Sequence, residues 1–329
     1  MLLEIDQLIR RSRFARFAWG VLAYNLAVIL WGAYVRASVS GNGCGSHWPL
    51  CNGEVIPAAP QLKTLIEFTH RLTSGLSVVL LVILAVWAWR EYPKGHRVRR
   101  AALWSVGFIF TEALLGAGLV LFEYVAQNAS VGRALFISVH LVNTFVLLAV
   151  LALTAWWATG APRVQLRGQG NVPHLFALGL LGTLVLAVSG AVTALGDTLF
   201  PARTLAEGFS RDFAPTAHFL LRLRVLHPAL ALAVGCYVVL TASYVSNFLR
   251  PDARVKRLTA MLSVIFLLQL GAGLLNIYLL APVWLQLVHL LLADLLWLAL
   301  VLCAAAALAQ PAAQAAQVET IKLRPAVEL

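Results

Sequence analysis

Eight long apolar runs dominate this chain of 329 residues. Each run is roughly 20 residues long, which is the length an α-helix needs to cross the hydrocarbon core of a bilayer. Hydrophobic residues make up 60% of the sequence and charged residues only 12%, which is more apolar surface than a water-soluble domain can bury. We therefore expect an all-α integral membrane protein with eight transmembrane helices, at about 17–35, 65–89, 101–122, 134–158, 174–195, 225–248, 259–280 and 283–307.

Lys and Arg are concentrated in alternate connecting segments. The positive-inside rule places these segments, and with them both chain termini, on the cytoplasmic side of a cell inner or plasma membrane. The net charge of +11 follows from this topology, and nothing in the chain indicates nucleic-acid binding. The basic residues concerned are Arg10, Arg11, Arg13, Arg16, Arg90, Lys94, Arg97, Arg99, Arg100, Arg163, Arg167, Arg250, Arg254, Lys256, Arg257, Lys322 and Arg324.

The two halves of the chain resemble each other. Residues 1–160 and 161–329 each contain four apolar runs, and matching motifs recur at offsets of 158, 157, 155 and 149 residues. Since four helices per half is an even number, the sequence predicts two parallel-repeat four-helix bundles. The paired features are Gly32 with Gly190, His70 with His227, Gly116–Gly118 with Gly271–Gly273, and His140 with His289.

Four histidines occupy repeat-related positions near one end of these runs: His70, His140, His227 and His289. Ionisable residues inside a membrane usually serve function, and imidazole is a common axial ligand of haem iron. Two histidines on facing helices can hold one haem, so four can hold two. His218 does not fit this register, because it precedes Gly271 by 53 residues where His227 precedes it by 44, and we expect it in a loop.

The histidines have different neighbours in the two halves. Glu67 lies three residues before His70 and therefore shares its helix face, whereas Arg224 holds the corresponding position before His227. A salt bridge from Glu67 to Arg71 is a structural alternative that leaves Glu67 available for function. Arg71 and Arg224 are candidate partners for anionic groups such as haem propionates. One half can therefore hold a reaction site and the other a permanent redox cofactor.

Two cysteines, Cys44 and Cys51, flank a short Gly- and Pro-containing turn in the first external loop. A disulfide is plausible on this oxidising side of the membrane. A metal site that also uses His47 is a weaker alternative, because it would have only three ligands nearby. Cys236 and Cys303 lie inside apolar runs and are interpreted as core residues.

This combination of motifs resembles the haem A synthase family of bacterial and mitochondrial membrane enzymes. The resemblance covers all eight runs and implies an oxidoreductase that converts a methyl group of haem O to a formyl group, for the assembly of haem-copper oxidases. It implies that His70 and His140 bind the substrate haem, and that His227 and His289 ligate the iron of a resident haem b. Glu67 matches the family's essential acidic residue, while Cys44 and Cys51 match its first-loop cysteine pair.

The sequence departs from that family at two places. Some bacterial members have a second cysteine pair between the fifth and sixth helices, but the segment from Gly196 to Thr216 contains none. His227 is followed by Pro228, where many members have Arg, which removes one candidate propionate partner. Both departures leave haem ligation intact.

The resemblance also implies a mechanism and partners. Haem O would enter from the lipid bilayer and be oxidised twice at the methyl group, and the gem-diol would lose water to give the aldehyde. Glu67 would stabilise a developing cation or manage a proton beside that methyl. Electrons would leave through haem b to an acceptor. Haem O synthase is a candidate partner, and a homo-oligomer is compatible with the sequence.

Two other classes of protein share some of these features. A di-haem b-type cytochrome that passes electrons between quinone and a partner would use the same histidines, but it does not need Glu67 beside one pair only. A secondary transporter would suit parallel repeats, but its polar groups should lie near the membrane midplane on interrupted helices. Here they cluster near one face, which disfavours a transporter.

Overall fold

The computed structural model describes residues 2–309, with side chains described from Ser12 onward. Within that range the chain is helical throughout, apart from connecting loops and two isolated bridges, and eight segments are long and apolar enough to span a membrane. Lys322, Arg324 and the side chains of Arg10 and Arg11 lie outside the described residues. The helices are α1 Leu2–Ala37, α2 Leu62–Glu91, α3 Arg97–Leu121, α4 Val131–Ala158, α5 Val172–Leu199, α6 Leu205–Asp212, α7 Phe219–Arg224, α8 Leu226–Tyr244, α9 Ala253–Tyr278 and α10 Val283–Ala307.

The spans correspond one for one to the predicted apolar runs, and most extend a few residues beyond them. Polar residues at the helix starts explain part of this difference, because they satisfy backbone amides that an apolar pattern does not count. The Ser130 hydroxyl accepts a hydrogen bond from the Arg133 amide at 3.2 Å, at the start of α4. Asp252 does the same for the amides of Arg254 and Val255, at the start of α9.

The sixth span is interrupted where the sequence predicts one continuous run. It consists of α7, α8 and a π-helical turn at Val245–Leu249. Pro228 accounts for the break after Arg224, because a proline at this position has no N–H to donate to the Arg224 carbonyl. The segment between the fifth and sixth predicted runs also contains a short helix, α6.

Each half of the chain forms a closed set of neighbouring helices. In the first half α1 contacts α2 and α4, and α3 contacts α2 and α4. In the second half α5 contacts α8 and α10, and α9 contacts α8 and α10. Each half is therefore a ring of four contacting helices, and α8 has in the second half the position that α2 has in the first.

The halves meet along α1, α4, α5 and α10. α10 is the most enclosed span, since 67% of the residues in its most apolar stretch are buried. The indole of Trp297 on α10 donates a hydrogen bond to the Phe145 carbonyl of α4 at 2.7 Å, and their rings lie 5.3 Å apart. Arg36 at the end of α1 crosses the same interface, where it donates to the Ala194 carbonyl on α5 and to Gln286 on α10. The two halves therefore pack as one body.

Candidate haem sites

All four histidines lie at the same end of the bundle. His70, His140 and His289 are within roughly the first three turns of α2, α4 and α10, about 13 Å or less from the helix starts. His227 lies in the first turn of α8, close to the break in the sixth span. The same end carries the loop with Cys44 and Cys51. This placement agrees with the predicted clustering near one face.

The second-half pair has the geometry of two ligands to one iron. The ring centroids of His227 and His289 lie 6.4 Å apart, with the ring planes at 78°. Two imidazoles that bind one metal, each through a nitrogen about 2 Å away, have centroids about 6 Å apart. His227 Nδ1 pairs with the Ser189 hydroxyl at 2.8 Å, which leaves Nε2 for a ligand. His289 Nε2 lies 3.3 Å from the Gln269 amide nitrogen, and its Nδ1 has no hydrogen-bond partner among the described residues.

The first-half pair is also close together but differs in its partners. His70 lies within electrostatic range of His140 and Glu112. The Nδ1 atoms of His70 and His140 are buried and form no hydrogen bond among the described residues. The nearest carboxylate oxygen to His140 Nδ1 is Glu112 Oε1, at 3.4 Å.

Glycines on the neighbouring helices make room for two of the imidazoles. A Cβ atom added at Gly32 would lie 2.9 Å from His70 Cε1, and one added at Gly190 would lie 3.1 Å from His227 Cε1. Both distances are shorter than ordinary van der Waals contact. Glycine is thus found at both repeat-related positions because each one faces a histidine, Gly32 facing His70 and Gly190 facing His227.

Glu67 lies beneath the first loop and is only 3% exposed. Its Oε1 accepts two hydrogen bonds from the Arg71 guanidinium, at 2.5 and 3.2 Å, and its Oε2 accepts one from the Cys44 amide at 2.9 Å. The expected salt bridge to Arg71 is therefore present. It holds the carboxylate on the face of α2 that also carries His70.

The first loop is closed by sulfur and hydrogen-bond contacts. The sulfurs of Cys44 and Cys51 lie 2.04 Å apart, and Arg71 donates to the carbonyls of His47 and Leu50 at 2.7 and 2.8 Å. No group of three or more His, Cys, Asp or Glu side chains in the described part of the chain could hold a metal ion. The two sulfurs that lie together are those of the cysteine pair that the sequence predicts as a disulfide.

The two arginines that the sequence predicts as propionate partners, Arg71 and Arg224, both pair with carboxylates in the structure. Arg71 pairs with Glu67. Arg224 lies 2.9 Å from Asp197 and 2.5 Å from Asp212. Arg222, by contrast, donates to the Pro215 carbonyl, away from this cluster. His218 lies in the connecting segment, as we expected, and its ring accepts a hydrogen bond from the Leu220 amide, which caps the start of α7.

Sequence reasoning missed two other arginines at this end. Arg133 on α4 is 3% exposed, and its guanidinium donates to the carbonyls of Ala126 and Asn128. Arg36 lies within electrostatic range of it and also donates only to neutral oxygens. Neither forms a salt bridge among the residues whose side chains are described. Their position at the ends of apolar runs is the signal that could have identified them.

The residues fit two haems. In the second half the spacing of the rings suits one iron between two imidazoles, and Ser189 orients one of them. In the first half two imidazoles with buried, unbonded Nδ1 atoms lie close together beside a carboxylate. A pair of imidazoles is a donor set typical of haem iron.

Comparison with known proteins places this arrangement in a family. A family model described as "Cytochrome oxidase assembly protein" matches residues 15–301, which is most of the chain and includes all four histidines. The chain belongs to the haem A synthase family. A relative from Bacillus licheniformis named "Heme A synthase" is 27% identical over 259 residues, covering 77% of this chain and 82% of that protein. One of that name from Halalkalibacterium halodurans is 43% identical over 125 residues, covering 38% and 41%.

A more similar relative has another name. A Thermus thermophilus protein named "Protoheme IX farnesyltransferase" is 55% identical over 297 residues. The match covers 90% of this chain but 49% of the relative. The chain thus spans about half the length of that protein.

Proposed function

We propose that this member of the family is a haem A synthase, which oxidises a methyl group of haem O to the formyl group of haem A. The observation that carries this proposal is the asymmetry between two otherwise matched histidine pairs. Glu67 lies on the face of α2 that carries His70, whereas Arg224 holds the corresponding position in the second half. A reaction site needs such a group beside one haem only, whereas a plain electron carrier does not.

The name of the Thermus relative supports haem O as the substrate. Farnesyl transfer to protohaem IX makes haem O, and about half of that relative matches this chain. A polypeptide that joins the two activities would make haem O in one part and oxidise it in the other. We infer that this chain corresponds to the oxidising part and acts beside a haem O synthase.

In the first half, His70 and His140 bind the substrate haem. Gly32 has no side chain, which leaves room for the His70 imidazole in the orientation that faces the ligand. Glu67 is held by Arg71 and the Cys44 amide, and this fixed carboxylate stabilises positive charge or accepts a proton beside the reacting methyl. Since its two donors hold it in place, little reorganisation is needed when charge develops.

In the second half, His227 and His289 would hold haem b as a resident cofactor, which supplies one-electron transfer when it is bound. Ser189 orients His227 through Nδ1. Arg133 is a better candidate for a propionate than Arg71 or Arg224, because its guanidinium donates to carbonyl oxygens and forms no salt bridge among the described residues. Arg36 is a second candidate, although it also lies within electrostatic range of Asp197. We place both haem sites toward the outer face and both termini in the cytoplasm, on the charge pattern of the loops.

Haem analysis of a host without terminal oxidases tests the proposed function. The host should contain haem O and lack its own haem A synthase. Expression of this chain should produce haem A, identified by chromatography of the extracted haems and by mass. If only haem B and haem O are found, while the purified protein carries two haems, the chain is a di-haem cytochrome. A host that makes haem B but no haem O tests farnesyl transfer, because appearance of haem O there would assign that activity to this chain.

A further inference from the structure

A second carboxylate, Glu112 on α3, lies in the first-half site and is not used by the proposed function. Its Oε2 accepts a hydrogen bond from the Asn143 amide at 2.5 Å, and its Oε1 accepts one from the Thr144 hydroxyl. Asn143 is itself held by the Phe108 carbonyl and the Thr111 hydroxyl. Glu112 is thus fixed by side chains of α4, the helix that carries His140.

His140 presents one ring nitrogen to this carboxylate. Its Nδ1 lies 3.4 Å from Glu112 Oε1 and has no other partner among the described residues. Glu112 Oε1 is thus the carboxylate oxygen nearest to this ring nitrogen. With Nδ1 toward Glu112, the other nitrogen, Nε2, is left for an iron.

The second half has an uncharged amide beside its histidine, at the other ring nitrogen. Gln269 on α9 lies beside His289, with 3.3 Å between the Gln269 amide nitrogen and His289 Nε2. Glu112 and Gln269 are 157 residues apart, the same offset as His70 and His227. The offset therefore matches Glu112 with Gln269, although the glycine motifs of these helices suggested an offset of 155. The two side chains face different ring nitrogens, Nδ1 of His140 and Nε2 of His289.

A carboxylate and an amide affect a ligating imidazole differently. A histidine that donates its second N–H to a carboxylate is fixed in one tautomer and becomes a more basic ligand. Hydrogen bonds to an ionised acceptor are also roughly twice as strong as those to a neutral one. A more basic ligand stabilises the oxidised iron relative to the reduced iron.

We infer that Glu112 is a positioning residue for His140 and sets the redox difference between the two sites. It holds His140 with Nε2 toward the iron and lowers the reduction potential of the haem bound in the first half, relative to the haem bound between His227 and His289. This inference rests on the proposed binding of one haem by each histidine pair. It does not depend on the conversion of haem O to haem A.

Redox titration of single-haem proteins tests the inference. Glu112→Gln is made in a His289→Ala background, where only the first-half haem is retained, and the full-length protein is loaded with haem O. The potential of that haem should rise. A tenfold change in the ratio of affinities for oxidised and reduced haem corresponds to about 59 mV for a one-electron couple. Glu123→Gln, the same chemical change at an exposed position just beyond α3, is the matched control and should leave the potential unchanged.

The reciprocal variant keeps the test decisive if Glu112→Gln loses its haem. Gln269→Glu in a His70→Ala background places a carboxylate beside His289, and it should lower the potential of the second-half haem. The iron–histidine stretching frequency in resonance Raman spectra should change in both variants, since a structural role alone would not alter that bond. Unchanged potentials and spectra in haem-loaded variants of either kind would overturn the inference. Because titration needs no turnover, a protein that binds haem but makes no haem A would still give either result.

Discussion

The backbone amide of Cys44 donates a hydrogen bond to Glu67 Oε2 at 2.9 Å. Both residues are buried, and the sulfur of Cys44 lies 2.04 Å from the sulfur of Cys51. The first loop and the carboxylate beside His70 are therefore held together by this contact and by Arg71, which bonds both Glu67 and the carbonyls of His47 and Leu50. A change in the loop should reach the substrate site through Glu67.

Replacement of Glu67 separates its charge from its structural contacts. Glu67→Gln retains an oxygen for the Cys44 amide and removes the charge, so we expect a folded, haem-loaded protein that makes little or no haem A. Glu67→Ala should have the same effect on activity. Glu54→Gln, on the exposed surface of the same loop, serves as the control. Haem A formation at the wild-type rate in Glu67→Gln would show that the charge is not catalytic.

The pairing of Cys44 with Cys51 can be measured directly. We expect thiol labelling and mass spectrometry to find the two cysteines linked in protein isolated without reductant. A closed loop of this size stabilises by about 2–3 kcal/mol in the chain-entropy model. That gain is local, because eight packed helices hold the fold.

Cys44→Ser should therefore lower haem A formation more than it lowers expression. The loop would lose the link that positions the Cys44 amide on Glu67. Cys236→Ser, a change of the same kind within α8, is the control. Two free thiols at Cys44 and Cys51 in native protein would refute the disulfide and restore the metal site with His47 as an alternative.

Gly32→Ala should displace His70. The added Cβ would lie 2.9 Å from the imidazole, and overpacking of this kind costs about 1–3 kcal/mol. We expect weaker binding of haem O, measured by the absorbance of the purified protein, with haem b retained. Gly20→Ala on the same helix meets no atom within 4 Å and should bind haem O normally. Equal haem O content in the two variants would contradict this explanation of Gly32.

Loss of a second-half ligand should remove the low-spin spectrum of haem b. On the proposed binding of haem b, His227→Ala and His289→Ala would each remove one axial ligand from that iron. His218→Ala should retain the spectrum, because its ring packs 4.9 Å from Phe200 and 4.6 Å from Phe219 at the start of α7. Loss of haem b from the His218 variant, with retention in the His227 variant, would reverse the assignment.

Much of this architecture could be predicted because it depends on local patterns. Long apolar runs determine spanning helices, since a bilayer provides no other partner for backbone N–H and C=O groups. The correspondence of His70 with His227 could be recognised because the loops of the first half are similar in length to the corresponding loops of the second half. The nearness of Glu67 to His70 follows from helical periodicity alone.

Contacts between distant segments could not be predicted in the same way. Asp197 and Asp212 lie on different helices, and only the fold brings both to Arg224. The partner of His140 was likewise hidden, because Glu112 lies on another helix and the glycine motifs suggested a different register. Pro228 was visible in the sequence, but the break it causes in the sixth span was not inferred.

The packed interface of α4 and α10, with Trp297 bonded to Phe145, has a consequence for electron tunnelling. His140 and His289 are carried by these two helices, so in the proposed two-haem enzyme the distance between the histidine pairs would be set by buried side chains and not by loops. Tunnelling rates fall steeply with distance, and a rigid spacing keeps them constant from one turnover to the next. We therefore expect the first loop to move as substrate enters and leaves without changing the rate of transfer between the haems.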